Sequence, residues 1–359
     1  MYRVKAGASY LRLTNADNKV WIVPREDMRT ALNIYQPSGV KGRVLKYLLP
    51  LTFWIPKVNN LIKARNVSVE MDISLRRLIC RVLNIDNFTF SIFEGTPSVH
   101  KKVTIQIFQG SKILAYCKVS SQRDIIELFR EEQSKLEYLS SQGVEGIPIC
   151  YYCGTIDDNS ESVAYIISTT KTLRSQTPHL WSRVHWNFIE ALHEKTKHRI
   201  EFKESDLAKS LIILEGYLPT LPTKSVGVLL KAIKEVRGNY DNQEVEFSAH
   251  HGDFTPWNMF VTRGELFVFD WEYSSLSFPP CLDWFHFFTQ TAKFERGLSA
   301  EQIVKLYFRS KEQHPDLSIL SYKTYLLTIV SRCIDREKGK VSRDSDKKIA
   351  LWLDILRRL

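Results

Sequence analysis

A short polar ribbon within residues 250–283 restricts the fold of this 359-residue chain more than any other feature. Two apolar runs, 259–261 and 266–269, flank the segment 262–265, which contains Gly264. Two such runs around a short glycine-containing segment are typical of a β-hairpin. With Gly264 taken as the middle of the turn, Asn258 and Asp270 are equally far from it along the chain. A paired hairpin would therefore place these two side chains side by side at its open end.

The oxygen ligands of this ribbon predict a site for a hard cation. An Asp and an Asn together suit magnesium, which binds few protein groups and leaves room for substrate phosphates. Asp253 stands just upstream, in a loop that Pro256 keeps out of helix. A second Asp that the metal does not need can accept the proton of an attacking hydroxyl. A loop Asp as base, with an Asn and a later Asp on the metal, indicates a phosphoryl-transfer site of the protein-kinase type.

Three motifs in this region resemble those of a known family. Residues 251–258 read HGDFTPWN, which is similar to the H-G-D-x-x-P-x-N catalytic loop of the aminoglycoside phosphotransferase and choline kinase family. Residues 270–272 read DWE and resemble the metal-binding D-x-E of that family. Residues 279–283 resemble the downstream segment whose Asp supports the loop. The alternative interpretation is a buried polar turn between two core strands.

The resemblance implies a role for each of these residues. Asp253 would be the catalytic base, and Asn258 and Asp270 would bind Mg²⁺ against the phosphates of ATP, the phosphate donor. Further members of the site would act as supports. They are His251, which would brace the loop; Glu272, which would reach the metal through water; and Asp283, which would cap the loop backbone or a helix start.

The implied fold is α+β, bilobal and protein-kinase-like. Residues 86–170 would form a small lobe with a five-stranded antiparallel sheet and one helix, and residues 171–359 a large, mostly helical lobe. Residues 1–85 would be an N-terminal extension of unknown role. Helices of the large lobe are predicted over 181–193, 205–218, 224–236, 282–291, 300–313, 323–336 and 347–359. Ser299 and Gln302 form a capping-box pattern before one of them.

The small lobe supplies candidate nucleotide contacts. Lys118, in the predicted strand 112–119, resembles the family's strand lysine that holds the nucleotide phosphates. Glu132 lies on the same helical stripe as Leu136 in the predicted helix 124–139. A carboxylate facing inward is costly unless it meets a cation, and the resemblance implies Lys118 as that partner. Glu131 is the competing choice.

Two further segments are assigned to the nucleotide by position. Gly95, Thr96 and Ser98 lie in a turn between two predicted strands and can present N–H groups and hydroxyls to phosphate oxygens. The turn holds one glycine, so it departs from a full glycine-rich loop, and an ordinary hairpin is the alternative. Ser168 and Thr170 would lie at the hinge between the lobes and offer backbone groups to an adenine edge.

The N-terminal extension contains four segments with a recognisable pattern. Residues 10–14 and 19–24 alternate like two short strands, and residues 74–83 read as an amphipathic helix. Residues 42–55 are mostly apolar, with Lys46 near the start and Pro50 inside. This segment is either a helix lying on an anionic membrane surface or a helix packed on the small lobe.

Composition limits the classes of binding partner and the cellular compartment that we expect for this protein. The formal charge of +10 permits nucleic acid, anionic lipid or an anionic small substrate, but no nucleic-acid-binding module is recognisable. Six scattered cysteines favour a cytosolic chain with reduced thiols, and the C-x-x-C at 150–153 has no second pair to complete a zinc site. The N-terminus lacks a signal-peptide pattern. We therefore expect a cytoplasmic protein, with the inner face of the membrane as a further location.

The predicted activity is ATP- and magnesium-dependent phosphorylation of an alcohol group on a small molecule. A basic chain favours an anionic acceptor, so a sugar or cell-envelope glycan hydroxyl is the leading hypothesis. The alternatives within this class are aminoglycosides, which are polycations, and choline, which needs an aromatic cage. Alternatives of another class are a non-catalytic pseudokinase that binds nucleotide, and a membrane-surface scaffold built on residues 1–85.

Overall fold

The computed structural model describes residues 1–15, 18–36, 40–55, 57, 62, 64–95, 102–158, 160–314, 317–339 and 343–359. The chain forms two compact units. The first unit comprises Met1–Ser141, Glu145–Thr177 and Phe260–Glu272, and the second comprises Gln142–Val144, Pro178–Met259 and Tyr273–Leu359. The predicted domain boundaries after residues 85 and 170 stay predictions.

An eight-stranded antiparallel sheet organises the first unit. Its strands are β1 (Tyr2–Thr14), β2 (Val20–Pro24), β3 (Arg65–Met71), β4 (Thr89–Phe93), β5 (Val103–Gln109), β6 (Lys112–Ser120), β7 (Cys150–Thr155) and β8 (Val163–Ser168). They lie in the order β3-β1-β2-β4-β5-β6-β8-β7.

The prediction of a five-stranded sheet was wrong, because the N-terminal extension adds three strands to it. Strand β2 is buried along its whole length and pairs with β4 through Trp21↔Phe93 and Ile22↔Ile92. The rings of Trp21 and Phe93 stack with centroids 5.1 Å apart. The alternating pattern of residues 19–24 indicated a strand, but an alternating pattern does not say which neighbour the strand will pair with.

Helices cover both faces of this sheet. They are α1 (Met28–Ala31), α2 (Val40–Thr52), α3 (Ile73–Leu83) and α4 (Arg123–Ser141). The carboxylate of Asp72 caps α3 by accepting the N–H groups of Ser74 at 3.0 Å and Leu75 at 3.4 Å. Leu75 and Leu78 are buried, as the amphipathic pattern predicted. Helix α2 forms over the predicted apolar segment and contains Pro50.

Successive residues of the strands supply two separate cores. Ile22 packs into one cluster with α3, Ile92 and Ile105. Trp21 and Val23 pack into the other, together with residues of α1 and α2. This alternation is what a strand with helices on both faces requires, because successive side chains point to opposite sides.

The second unit is mostly helical. Its helices are α5 (Arg183–Thr196), α6 (Asp206–Tyr217), α7 (Thr223–Tyr240), α8 (Leu282–Gln290), α9 (Ala300–Gln313), α10 (Ile319–Arg336) and α11 (Arg343–Arg358). The remaining strands of the described residues are β9 (His198–Glu201), β10 (Glu244–His250), β11 (Met259–Thr262), β12 (Glu265–Val268) and β13 (Ser275–Phe278). Strands β13, β10 and β9 form a small sheet in that order. The predicted helices are confirmed, with ends that differ by a few residues.

The core of the second unit gathers the apolar sides of these helices. Tyr322 and Leu326 of α10 are fully buried, and Phe285 of α8 stacks on Tyr322 with centroids 4.8 Å apart. Helix α11 buries Trp352 and Leu353, so it is a core helix. No helix in the described ranges is both long and apolar enough to cross a membrane.

Strands β11 and β12 form the predicted hairpin. Arg263 and Gly264 make its two-residue loop, with φ of 55° and 85°. Positive φ at both loop residues matches the twist of paired strands. The centre of the turn therefore lies between Arg263 and Gly264, half a residue before the predicted position, because the prediction assumed an odd-numbered loop around Gly264.

Candidate active site

Lys118 on β6 is the centre of an ionic network in the first unit. Its Nζ lies 3.0 Å from Glu132 Oε2 and 2.7 Å from Asp270 Oδ1. Lys118 and Glu132 are both buried. Burial alone would lower the pKa of Lys118, but the carboxylates of Asp270 and Glu132 outweigh burial and raise this pKa. Lys118 is therefore a positive charge held at a fixed position.

Glu132 also anchors the segment that follows β12. Its Oε1 accepts the backbone N–H of Trp271 at 3.0 Å, so both carboxylate oxygens have partners, as a buried charge requires. The competing residue, Glu131, has an exposed side chain and lies 3.8 Å from Lys135. The structure thus pairs Lys118 with Glu132.

Asp270 has an uncommon backbone conformation and attracts a second cation. Its φ is 69°, in the left-handed region that few non-glycine residues adopt. Lys102 Nζ lies 3.6 Å from Asp270 Oδ1 and also contacts Glu272. The carboxylates of Asp270 and Glu272 therefore lie in one short segment, and the ammonium groups of Lys118 and Lys102 contact this segment. Carboxylate oxygens are ligands that Mg²⁺ prefers, so Asp270 fits a role in holding that ion.

In the second unit, Asp283 and Arg332 hold the loop of the HGD motif by its backbone. The two oxygens of Asp283 accept the N–H groups of His251 at 2.8 Å and Gly252 at 3.0 Å. Arg332 donates to the carbonyl oxygen of Gly252 at 2.6 Å. His251 Nδ1 accepts the N–H of Asp253 at 3.2 Å. Asp283 and His251 thus hydrogen-bond to the backbone of the loop that carries Asp253.

Asp253 is held at both carboxylate oxygens. His286 Nε2 donates to Oδ1 at 2.9 Å, and Asn258 Nδ2 donates to Oδ2 at 2.7 Å. Burial would raise the pKa of Asp253, but the hydrogen bond from His286 and the nearby positive charge of Arg332 lower it below its usual value. Asp253 is therefore ionised at neutral pH, which is the state that a general base needs.

Asn258 ends a short 3₁₀ turn, Pro256–Asn258, and its amide nitrogen also donates to the backbone oxygen of Asp253 at 3.0 Å. Because the nitrogen is used in this way, the amide oxygen of Asn258 is the atom left to bind a cation. This orientation fits the predicted role of Asn258 as an oxygen ligand for Mg²⁺.

The remaining predicted nucleotide contacts give a mixed result. Gly95 has φ of 75°, and a Cβ there would lie 2.8 Å from the carbonyl oxygen of Lys102, so the position requires glycine. Thr96 and Ser98 lie outside the described residues. The N–H and Oγ of Ser168 both hydrogen-bond to Ile149, so this N–H is occupied by the sheet and is not a donor for adenine. Thr170 is exposed.

The comparison with solved structures establishes the fold. The crystal structure of aminoglycoside phosphotransferase APH(4)-Ia is similar with a TM-score of 0.50 and 12% identity, over 79% of this chain and 98% of that chain. This chain has the aminoglycoside phosphotransferase fold. A thermostable mutant of APH(4)-Ia in ternary complex with ADP and hygromycin B gives a TM-score of 0.50, 14% identity and the same coverages. No family model and no curated protein sequence matches.

The aminoglycoside phosphotransferase fold confirms the predicted α+β, protein-kinase-like class. The two compact units agree with a bilobal arrangement. Within this fold, the first unit carries Lys118, Glu132 and Asp270, and the second carries Asp253 and Asn258.

Three residues that contact the predicted site residues or their loop were not predicted from the sequence: His286, Arg332 and Lys102. His286 follows Asp283 by three residues on α8, so the two share one helix face, and a D-x-x-H pattern could have indicated it. Arg332 comes from α10, which no local pattern connects to the loop. Lys102 directly precedes β5, and no local pattern connects it to the segment of Asp270.

Proposed function

We propose that this protein is an ATP- and magnesium-dependent phosphotransferase that acts on an alcohol group of a small molecule. One observation carries the proposal: Asp253 is held at both carboxylate oxygens, by His286 and Asn258, on a chain with the aminoglycoside phosphotransferase fold. A structural polar turn does not need a carboxylate fixed by two side-chain donors and a supporting Asp283 beneath its backbone.

In the proposed reaction, the acceptor hydroxyl attacks the terminal phosphorus of ATP. Its proton passes to Asp253, and ADP leaves with the electron pair of the broken P–O bond. Lys118, fixed by Glu132, places a positive charge for the phosphates, and Gly95 with Thr96 and Ser98 supplies N–H and hydroxyl donors. Positioning and charge stabilisation account for most of the rate in such a site.

Asn258 and Asp270 would hold Mg²⁺, with Glu272 contributing through water. Bound there, the ion supplies neutralisation of phosphate charge. The carboxylate and amide oxygens of these residues are the donor types that this hard cation prefers. Thr170, following β8, would face the adenine, whereas Ser168 supports the strand.

The acceptor we propose is a hydroxyl of a sugar or of a cell-envelope glycan with negative charge, because the chain carries a formal charge of +10. Aminoglycosides and choline remain the second candidates, the former because APH(4)-Ia was crystallised with hygromycin B. The structure gives little support to choline as the acceptor, because Trp271 and Trp284 are buried in the core and do not form an aromatic cage.

A non-catalytic, nucleotide-binding pseudokinase is the alternative of another class. Lys118, Asp253, Asn258 and Asp270 are all present, which favours the enzyme. We propose a cytoplasmic location, because six scattered cysteines are typical of a chain that keeps its thiols reduced in a reducing compartment.

The test is a transfer assay with ATP labelled at the terminal phosphate against a panel of sugars, anionic glycans, choline and aminoglycosides. Asp253→Asn keeps the size of the side chain and removes its basicity, so we expect loss of transfer by roughly a hundredfold or more with retained ATP-magnesium binding. Asp241→Asn, an exposed position, is the control. Equal transfer by Asp253→Asn and the parent would refute the base assignment, and nucleotide binding without transfer to any acceptor would favour the pseudokinase.

A further inference from the structure

Helix α2 carries apolar side chains on both of its sides. Leu49 is fully buried, and Leu45 and Phe53 pack beside it against the core formed with Leu11 and Trp21. This inner side fixes the helix to the sheet of the first unit. A helix held in this way on a soluble domain would ordinarily present polar residues on its opposite side.

The opposite side is apolar as well. Val44, Tyr47, Leu48 and Leu51 recur at the spacing of one helical face, and Trp54 follows at the end of the helix. Tyr47 is 77% exposed and Trp54 is 65% exposed, and about half of each of the other three is exposed. We call these five residues the outer face of α2.

Elsewhere in the described ranges, exposed large apolar side chains stand singly or in twos along the sequence, as at Leu180 or at Ile212 and Ile213. Scattered exposed residues are normal, whereas a contiguous apolar patch on a soluble domain marks a surface that binds something. The outer face of α2 is therefore a candidate interaction surface.

The charge of the surrounding segment identifies the type of partner. Residues 28–69 contain seven lysines and arginines and no aspartate or glutamate. A face with Trp and Tyr beside apolar residues, within a basic segment, matches the chemistry of an anionic membrane surface. A second copy of this chain would bring two such basic segments together in a symmetric interface, which like-charge repulsion opposes.

We propose that the outer face of α2 binds the surface of an anionic lipid bilayer. The apolar side chains enter the boundary between headgroups and acyl chains, and basic residues such as the exposed Lys57 meet the lipid phosphates. The inner side of α2 keeps the helix on the sheet, so binding requires no refolding. The proposal does not depend on phosphotransferase activity.

The test is co-sedimentation of the full-length protein with vesicles of phosphatidylcholine alone or mixed with phosphatidylglycerol. We expect binding to the anionic vesicles, weakened by added salt. The triple variant Tyr47→Gln, Leu51→Gln and Trp54→Gln replaces exposed residues with helix-compatible polar ones. It should lower the partition coefficient by at least about tenfold.

A matched control carries Ile212→Gln and Leu230→Gln, which are exposed by 57% and 50% in the second unit. It should bind the anionic vesicles as the parent does. Thermal melting checks that both variants are folded. Failure of the parent to bind anionic vesicles, or equal binding by the triple variant, would overturn the proposal. A parent dimer that the triple variant converts to a monomer, without vesicle binding, would assign the face to a second copy instead.

Discussion

At the scale of single residues, the hydrogen bond from His286 to Asp253 is the feature that most affects the proposed chemistry. Burial is the largest influence on His286 and lowers its pKa, so the ring is neutral near pH 7. A neutral ring can donate to the Asp253 carboxylate only with its proton on Nε2. His286 then fixes the direction of the base without neutralising its charge.

We expect His286→Leu to lower kcat by about tenfold while the KM for ATP changes little, because the base loses its orientation and the nucleotide contacts remain. His286→Gln keeps an amide donor and should recover part of kcat. Steady-state kinetics on both variants checks this. Equal kcat values for the Leu and Gln variants would show that the hydrogen bond has no effect.

A second residue-scale prediction concerns Glu132. Glu132→Gln removes the buried charge beside Lys118, so Lys118 is less firmly held, and we expect ATP-magnesium affinity to fall by about tenfold. Titration calorimetry measures the change, and thermal melting monitors folding. Glu131→Gln, the exposed neighbour, is the matched control and should leave the affinity unchanged. The same loss in both variants would contradict the role assigned to the Lys118–Glu132 pair.

At the scale of elements, the loop of the HGD motif depends on close backbone packing at Gly252. Its φ is 78°, and a Cβ there would lie 2.3 Å from the carbonyl oxygen of Tyr273. We expect Gly252→Ala to destabilise the protein by about 3 kcal/mol or more, since it adds a clash to backbone strain. Gly264→Ala is the control: its φ is 85°, but nothing lies within 4 Å of the added atom. Chemical denaturation should show a clearly smaller loss for Gly264→Ala.

Elements governed by local patterns were predictable from the sequence. The hairpin β11–β12 follows from two apolar runs around Gly264, and the inward position of Glu132 follows from helical periodicity. The pairing of β2 with β4 and the contact of Arg332 with Gly252 were not predictable. They join residues seventy or more positions apart. Tertiary packing determines such contacts, and a single sequence does not display it.

At the scale of the whole molecule, buried histidines make stability dependent on pH. Burial lowers the pKa of His250 to about 3 and of His185 to about 4, and lowers that of His286. In the unfolded chain these rings bind protons below about pH 6.5. The unfolded state therefore takes up more protons as pH falls, and folding stability decreases. Asp283 has a pKa raised to about 6, so the folded protein protonates this carboxylate at a higher pH than the unfolded chain does. This difference partly opposes the loss of stability as pH falls.

We expect the melting temperature to fall between pH 7 and pH 5, with about 1–2 kcal/mol lost at pH 5 for each of His250 and His185. Thermal scans across this range measure it. His185→Gln should reduce the slope of the melting temperature with pH. A parent melting temperature that does not change over this interval would contradict the neutral buried rings.

The pairing of β2 with β4 also determines how far the chain can be shortened. Removing residues 1–85 would leave β4 as an unprotected sheet edge with free N–H and C=O groups, next to Gly95 and two strands from Lys118. Such an edge is a template for pairing between molecules. A version trimmed to the kinase-like core would therefore aggregate, and attempts to produce the protein should keep its first strands.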